Sequence, residues 1–127
     1  MKNRPAMLRL VLLGLLVLGQ LGIGYAEKPD PEYLNRLEKA SKTIGPLVET
    51  WRDCIRSETD RFALQSEPAE TIVTAAFAAC TEQEYAWRGA IIESGFGDGE
   101  ETLAKAKEEA RGPLILRILR TRAKPSP

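Results

Sequence analysis

The chain has 127 residues, with 18 basic and 18 acidic side chains, two cysteines and no histidine. That length holds one small domain, and the missing histidine excludes Ser-His-Asp and Cys-His nucleophilic sites and every His-ligated zinc or haem. Two thiols exclude a four-thiolate metal site within the chain, and a balanced charge leaves no electrostatic footprint for nucleic acid.

Charge is unevenly placed. Lys2, Arg4 and Arg9 carry all the charge of residues 1–26, so residues 27–127 hold 15 basic against 18 acidic groups. After the basic start, Leu10 to Leu18 reads LVLLGLLVL, and Gly24 and Ala26 stand at the −3 and −1 positions of a cleavage site before Glu27. A basic start, a short apolar run and a small-x-small end read as a secretory signal peptide. The uncharged stretch to Ala26 is short for a membrane span, and no cysteine stands at the cleavage point to carry a lipid. The expectation is a periplasmic or secreted protein of residues 27–127; an uncleaved N-terminal membrane anchor is the alternative.

The rest of the chain reads as helices. Asp30-Pro31-Glu32 is a helix start, with Asp30 capping free N–H groups and Pro31 at the first position. Leu34, Leu37, Ser41 and Ile44 mark one face of a short first helix. Gly45-Pro46 interrupts it, or leaves a kinked continuation. From Pro46 to about Leu64, Leu47, Trp51, Cys54, Ile55, Glu58 and Phe62 recur at three- and four-residue spacing. Ser66 is the expected cap after the Gln65–Pro68 break. One long helix then runs to about Ser94, with Ile72, Val73, Ala76, Phe77, Cys80, Trp87 and Ile91 on one side, until Gly95-Phe96-Gly97-Asp98-Gly99 ends it. Asp98 caps the next helix. Residues 100–111 are helix-forming but mostly polar, with Leu103, Ala104, Ala106 and Ala110 to bury. Gly112-Pro113 then breaks or kinks the helix before LILRILRTRAK.

Cys54 lies 12 residues before Ser66 and Cys80 lies 14 after it. At a helical rise of about 1.5 Å per residue, the two thiols fall roughly 18 and 21 Å from the turn on antiparallel helices. They sit at nearly matching heights on facing apolar stripes, and the same register brings Phe62 near Ile72 and Val73 and Leu47 near Trp87. With export into an oxidising compartment, a Cys54–Cys80 disulfide is expected. A redox centre would need neighbouring thiols or a cysteine at a helix start, and both cysteines read as mid-helix.

Other features have plain explanations. Gly95-x-Gly97-x-Gly99 follows a helix rather than a strand and lacks the lysine of a phosphate loop, so it reads as an interhelix connection. Trp51 and Trp87 read as core beside the disulfide. Glu58 and Glu84 would be the only carboxylate pair for acid–base chemistry. The register separates them by about 12 Å along the hairpin, beyond the usual span of such a pair, and places them at stripe edges reaching water or an arginine. No catalytic, cofactor-binding or metal-ligating set and no small-molecule substrate site emerges.

Functional colour is confined to the end of the chain. From Ala110 onward there is no acid, while Arg111, Arg117, Arg120, Arg122 and Lys124 are basic; residues 93–109 hold six acids against Lys105 and Lys107. On a helix Leu114, Ile115, Ile118 and Leu119 form one face, opposite Arg117, Arg120 and Lys124. Such an arm enters a partner's groove or lies on an anionic membrane, with Ile115, Arg117, Ile118 and Arg120 as contact candidates. About ten residues is short for adsorption, which favours docking of the apolar face onto the hairpin.

W-R-D-C at 51–54, E-P-A-E-T-I at 67–72 and A-A-F-A-A-C at 75–80 together resemble a class of short, exported, α-helical bacterial proteins. The resemblance covers about residues 47–92 and implies an exported helical hairpin with paired cysteines; it carries no activity. The expectation is therefore an all-α protein, a small three- or four-helix bundle on a disulfide-linked antiparallel hairpin of residues 46–94, with a C-terminal helical arm over 100–124. Its expected role is non-enzymatic, through contact with a protein partner in the cell envelope. Anionic lipid is the alternative partner.

Overall fold

A computed structural model describes residues 27–125. The signal peptide expected over residues 1–26 lies outside these described residues. Within them the chain is all-α: α1 (Pro31–Phe62), α2 (Ala69–Ala79), α3 (Thr81–Ser94) and α4 (Gly99–Ala123). α1 runs up, α2 and α3 come down against it as one broken rod, and α4 climbs back over α2 and α3.

α1 begins where the sequence places it. The Asp30 carboxylate accepts from the Glu32 N–H at 2.9 Å, and Pro31 occupies the first position, where its missing N–H is harmless. The helix does not stop at Gly45-Pro46. Pro46 removes the donor for the Lys42 carbonyl, but this stretch of the helix lies at the exposed surface, so the lost bond is not a buried one. Gly45 has no Cβ to meet the proline ring, which removes one of the two clashes that normally keep a pre-proline residue out of helical geometry. Ile44, Leu47 and Val48 pack against the core on both sides of the proline and hold the rod together.

The same device recurs in α4. Pro113 lies inside this helix, preceded by Gly112, with Ala110 and Leu114 packed on the core either side. Of the alternatives at 45–46 and 112–113, interruption is corrected and the helix continues through both prolines. In each case burial of the flanking turns outweighs a local penalty of about 3 kcal/mol or more.

The expected long helix over 67–94 is instead two. Cys80 takes φ −103° and ψ 23°, outside the helical region. Its N–H turns back three residues to the Phe77 carbonyl at 3.1 Å, and the Thr81 hydroxyl donates to the Ala78 carbonyl at 2.7 Å. A side-chain donor there competes with the helix ladder and lets the rod bend. Cys80 is therefore a junction residue and not mid-helix. Ser66 is not the cap of α2 either: Pro68 holds that position, with no side-chain bond to the helix start.

The remaining ends follow sequence logic. Gly95 closes α3 in the left-handed conformation at φ 70°. Asp98 caps α4, accepting from the Glu100 and Glu101 N–H groups at 2.8 and 3.0 Å. Gly99 is required for packing: a Cβ there would stand 2.7 Å from Arg88 Cγ and 3.1 Å from the Arg88 carbonyl oxygen.

The core is built from the predicted stripes. Trp51, Ile55, Ile72, Val73, Phe77, Trp87 and Ile91 are buried, and Leu103, Leu114 and Ile118 join them from α4. The Trp51 ring stacks on Phe77 at 6.2 Å between centroids and meets Trp87, tilted, at 5.1 Å. Beside these rings a Cys54–Cys80 disulfide links α1 to the α2–α3 junction, with Cα atoms 6.0 Å apart. The first face read from sequence fares differently. Leu34 and Leu37 stay exposed, with only Ile44 half-buried; the start of α1 instead meets the α3–α4 connection through Tyr33, whose ring lies edge-on to Phe96 at 5.6 Å.

Candidate functional site on the last helix

α4 packs by a face rotated from the one its sequence suggests. Leu114 and Ile118 are buried, Ile118 completely, and Ile115 is half-buried, but Leu119 is 50% exposed and Leu116 46%. The buried stripe leans toward Arg111 and Arg122, whose heads are held by the rest of the fold. Arg111 lies over the Phe77 ring at 5.6 Å, and its Nη1 donates to the Thr74 hydroxyl at 3.4 Å. Arg122 donates to three carbonyl oxygens of the α1–α2 turn, those of Ala63, Gln65 and Glu67, at 2.8, 2.6 and 2.6 Å. One planar, five-donor head thus serves a turn whose own side chains supply no cap.

Arg117 is also engaged. Its Nε and Nη2 donate to the two Asp60 carboxylate oxygens at 2.5 and 2.6 Å. This two-pronged bond holds the Asp60 carboxyl below its ordinary range; partial burial pushes the other way, and the Arg117 charge adds to the lowering. The same contact raises the Arg117 guanidinium.

Around this pair runs a groove of about 590 Å³ between α1 and α4, lined by Arg56, Asp60, Leu114, Arg117, Arg120 and Lys124 among others. Arg56 is held by Asp53 on its own helix at 2.6 Å. Arg120 and Lys124 form no ion pair among the described residues. A second groove of about 410 Å³ lies at the other end, between the start of α1 and the end of α3, where Arg36 stands 5.5 Å over the Phe96 ring.

Of the four contact candidates, the structure gathers Arg117 and Arg120 on one groove wall. It packs Ile115, half-buried, against the core and removes Ile118 into it, where nothing outside the fold reaches it. Sequence reasoning placed Lys124 beside Arg117 and Arg120 but missed Asp60 and Arg56 as parts of the same surface. Asp60 and Arg56 carried no signal, because only the docking of α4 brings them to its basic side.

The two carboxylates weighed for catalysis are not alike. Glu58 is partly exposed and 3.7 Å from Arg61. Glu84 is 6% exposed, so it is a core residue and not at a stripe edge; Lys107, not an arginine, meets its Oε2 at 2.7 Å, and its Oε1 has no partner. Among the described residues no three metal-ligating side chains come together. No helix there is long and apolar enough to cross a membrane.

No known protein family matches the chain, and no curated protein or solved structure matches it.

Proposed function

We propose that this is an exported, non-enzymatic helical protein of the cell envelope that works through protein–protein contacts, made by the outward side of α4 and the groove beside it. The observation that carries the reading is the contrast along α4. Leu114 and Ile118 are used up by the fold, while Leu116 and Leu119 stand half-exposed on the outward side, Leu116 one turn before Arg120. Exposed leucines beside a cationic row are the composition of a contact surface rather than of an idle one. The disulfide supports export, since such bonds persist in oxidising compartments. The basic and apolar start of the chain supports it independently.

The test is site-specific photo-crosslinking in intact cells. A crosslinker at Leu116 or Leu119 gives discrete protein adducts in the envelope fraction, and one at Leu34, 47% exposed near the start of α1 at the opposite end of the fold, does not. Identical adduct patterns from all three positions would sink the reading.

The same exposed leucines favour a second reading, a peripheral membrane protein lying on anionic lipid through α4. Flotation with anionic vesicles tests it by substitution, Leu116→Ser with Leu119→Ser. Truncation is unsuitable, because removing residues 112–127 also removes core residues Leu114 and Ile118.

A further inference from the structure

Resting on the reading of the chain as a protein-binding module, we propose that the α1–α4 groove is a carboxylate-binding cleft that receives an acidic segment of a partner protein. Its anchors are Arg117, Arg120 and Lys124. Arg117 and Arg120 follow one another three residues apart on α4, and Lys124 stands just past its end at the C-cap. Arg56 faces the row from α1.

Asp60 shows what chemistry the cleft favours. A carboxylate of the chain itself already sits on the Arg117 guanidinium in the two-pronged geometry that Arg and carboxylate share. Further along, Arg120 and Lys124 have no such anion among the described residues. The acidic groups facing the cleft are Asp60 itself and Asp53 behind Arg56, so four cations meet two carboxylates and an excess of positive charge remains. An incoming segment with acids one helical turn apart supplies the negative charge that Arg120 and Lys124 lack.

Shape selects a polypeptide over a bilayer. The cations line a recess between two rods, about 590 Å³ in volume. The recess is shallow, with Asp60 and Arg117 nearly half-exposed, but its cations lie along a channel between two rods, which a single peptide chain follows more fully than a headgroup plane does.

The test uses the oxidised protein purified from the envelope and a fluorescein-labelled 15-residue peptide with glutamates at i, i+3 and i+7 in an alanine–glutamine background. Vesicles of phosphatidylglycerol in phosphatidylcholine form a second arm. Fluorescence anisotropy is expected to show binding that weakens with added salt. The double variant R120E/K124E loses about tenfold in affinity, the sum of two modest exposed pairs turned repulsive. R36E/K39E, in the other groove, keeps the parent value. Circular dichroism confirms that both variants fold, and their altered residues lie outside the core. Equal binding by R120E/K124E and parent overturns the proposal. So does binding to vesicles but not peptide, which assigns the surface to lipid. Salt-sensitive self-association in sedimentation assigns the cleft to the acidic stretch of a second copy and overturns it as well. Adducts retained from Leu116 with no peptide binding defeat the carboxylate cleft alone, and loss of both defeats the contact reading beneath it.

Discussion

Arg117 and Asp60 stand 57 residues apart in sequence and meet in a two-pronged ion pair that joins the end of α4 to the end of α1. Both side chains are nearly half-exposed, at 48% and 45%, so water screens the pair and its share of stability is modest, about 0.5–1 kcal/mol. Because the Asp60 carboxyl is lowered in the folded state, its contribution is present above the unfolded carboxyl value and is lost as pH falls through the folded one. Asp60→Asn is therefore expected to be slightly less stable than the parent at pH 7. The gap should close as urea unfolding is repeated from pH 5 down to pH 2. A gap that stays constant over that range would remove the ion pair from the account.

Lys107 and Glu84 form a pair of a different kind, with the Glu84 side chain only 8% exposed. Lys107→Met leaves a buried carboxylate without its cation, a loss of about 3–5 kcal/mol. Adding Glu84→Gln to that variant should recover a substantial part, since the amide carries no charge to strand. Thermal unfolding of both variants checks the order. If the single variant is as stable as the double, the pair has no role in holding α4 on α3.

The rotation of α4 is checked by truncating neighbours. Ile118→Ala empties a fully buried site and should lower stability by about 2–5 kcal/mol. Leu119→Ala, at a half-exposed site, should stay within about 0.5 kcal/mol. Comparable losses at both sites would mean that α4 packs by the face its sequence alone suggests.

Cys54→Ser with Cys80→Ser opens a loop of 26 residues. The chain-entropy estimate puts the loss at about 3–4 kcal/mol. The variant is expected to keep its helical circular dichroism while its urea midpoint falls. No change in midpoint would show that the helices need no covalent tie.

Much of this architecture was legible because it rests on local rules. Asp30 and Asp98 announce helix starts, Gly95 announces an end, and the spacing of Trp51, Ile55, Phe77, Trp87 and Ile91 gives the facing stripes and the cysteine register. The features that escaped depend on tertiary context. Gly45-Pro46 and Gly112-Pro113 look like breaks, and only the burial of the turns on either side shows that the helix carries through. The bend at Cys80 involves neither glycine nor proline, so the usual breakers gave no notice of it. In the candidate site, Arg117, Arg120 and Lys124 could be placed on one helix side from spacing alone. Their juxtaposition with Asp60 and Arg56 could not, because it depends on how far α4 is turned about its axis, and that is decided by where Arg111 and Arg122 find partners.

The grip of Arg122 on the 63–67 turn also bears on how the molecule assembles. Three main-chain oxygens of the first turn are satisfied only by a residue more than fifty positions downstream. Until the last rod settles, that corner stays hydrated and the hairpin lacks its latch, so sealing it is a late, long-range event rather than a property of the corner itself. In native-state hydrogen exchange, the amides flanking this corner and those of residues 114–123 should then open together as one cooperative unit.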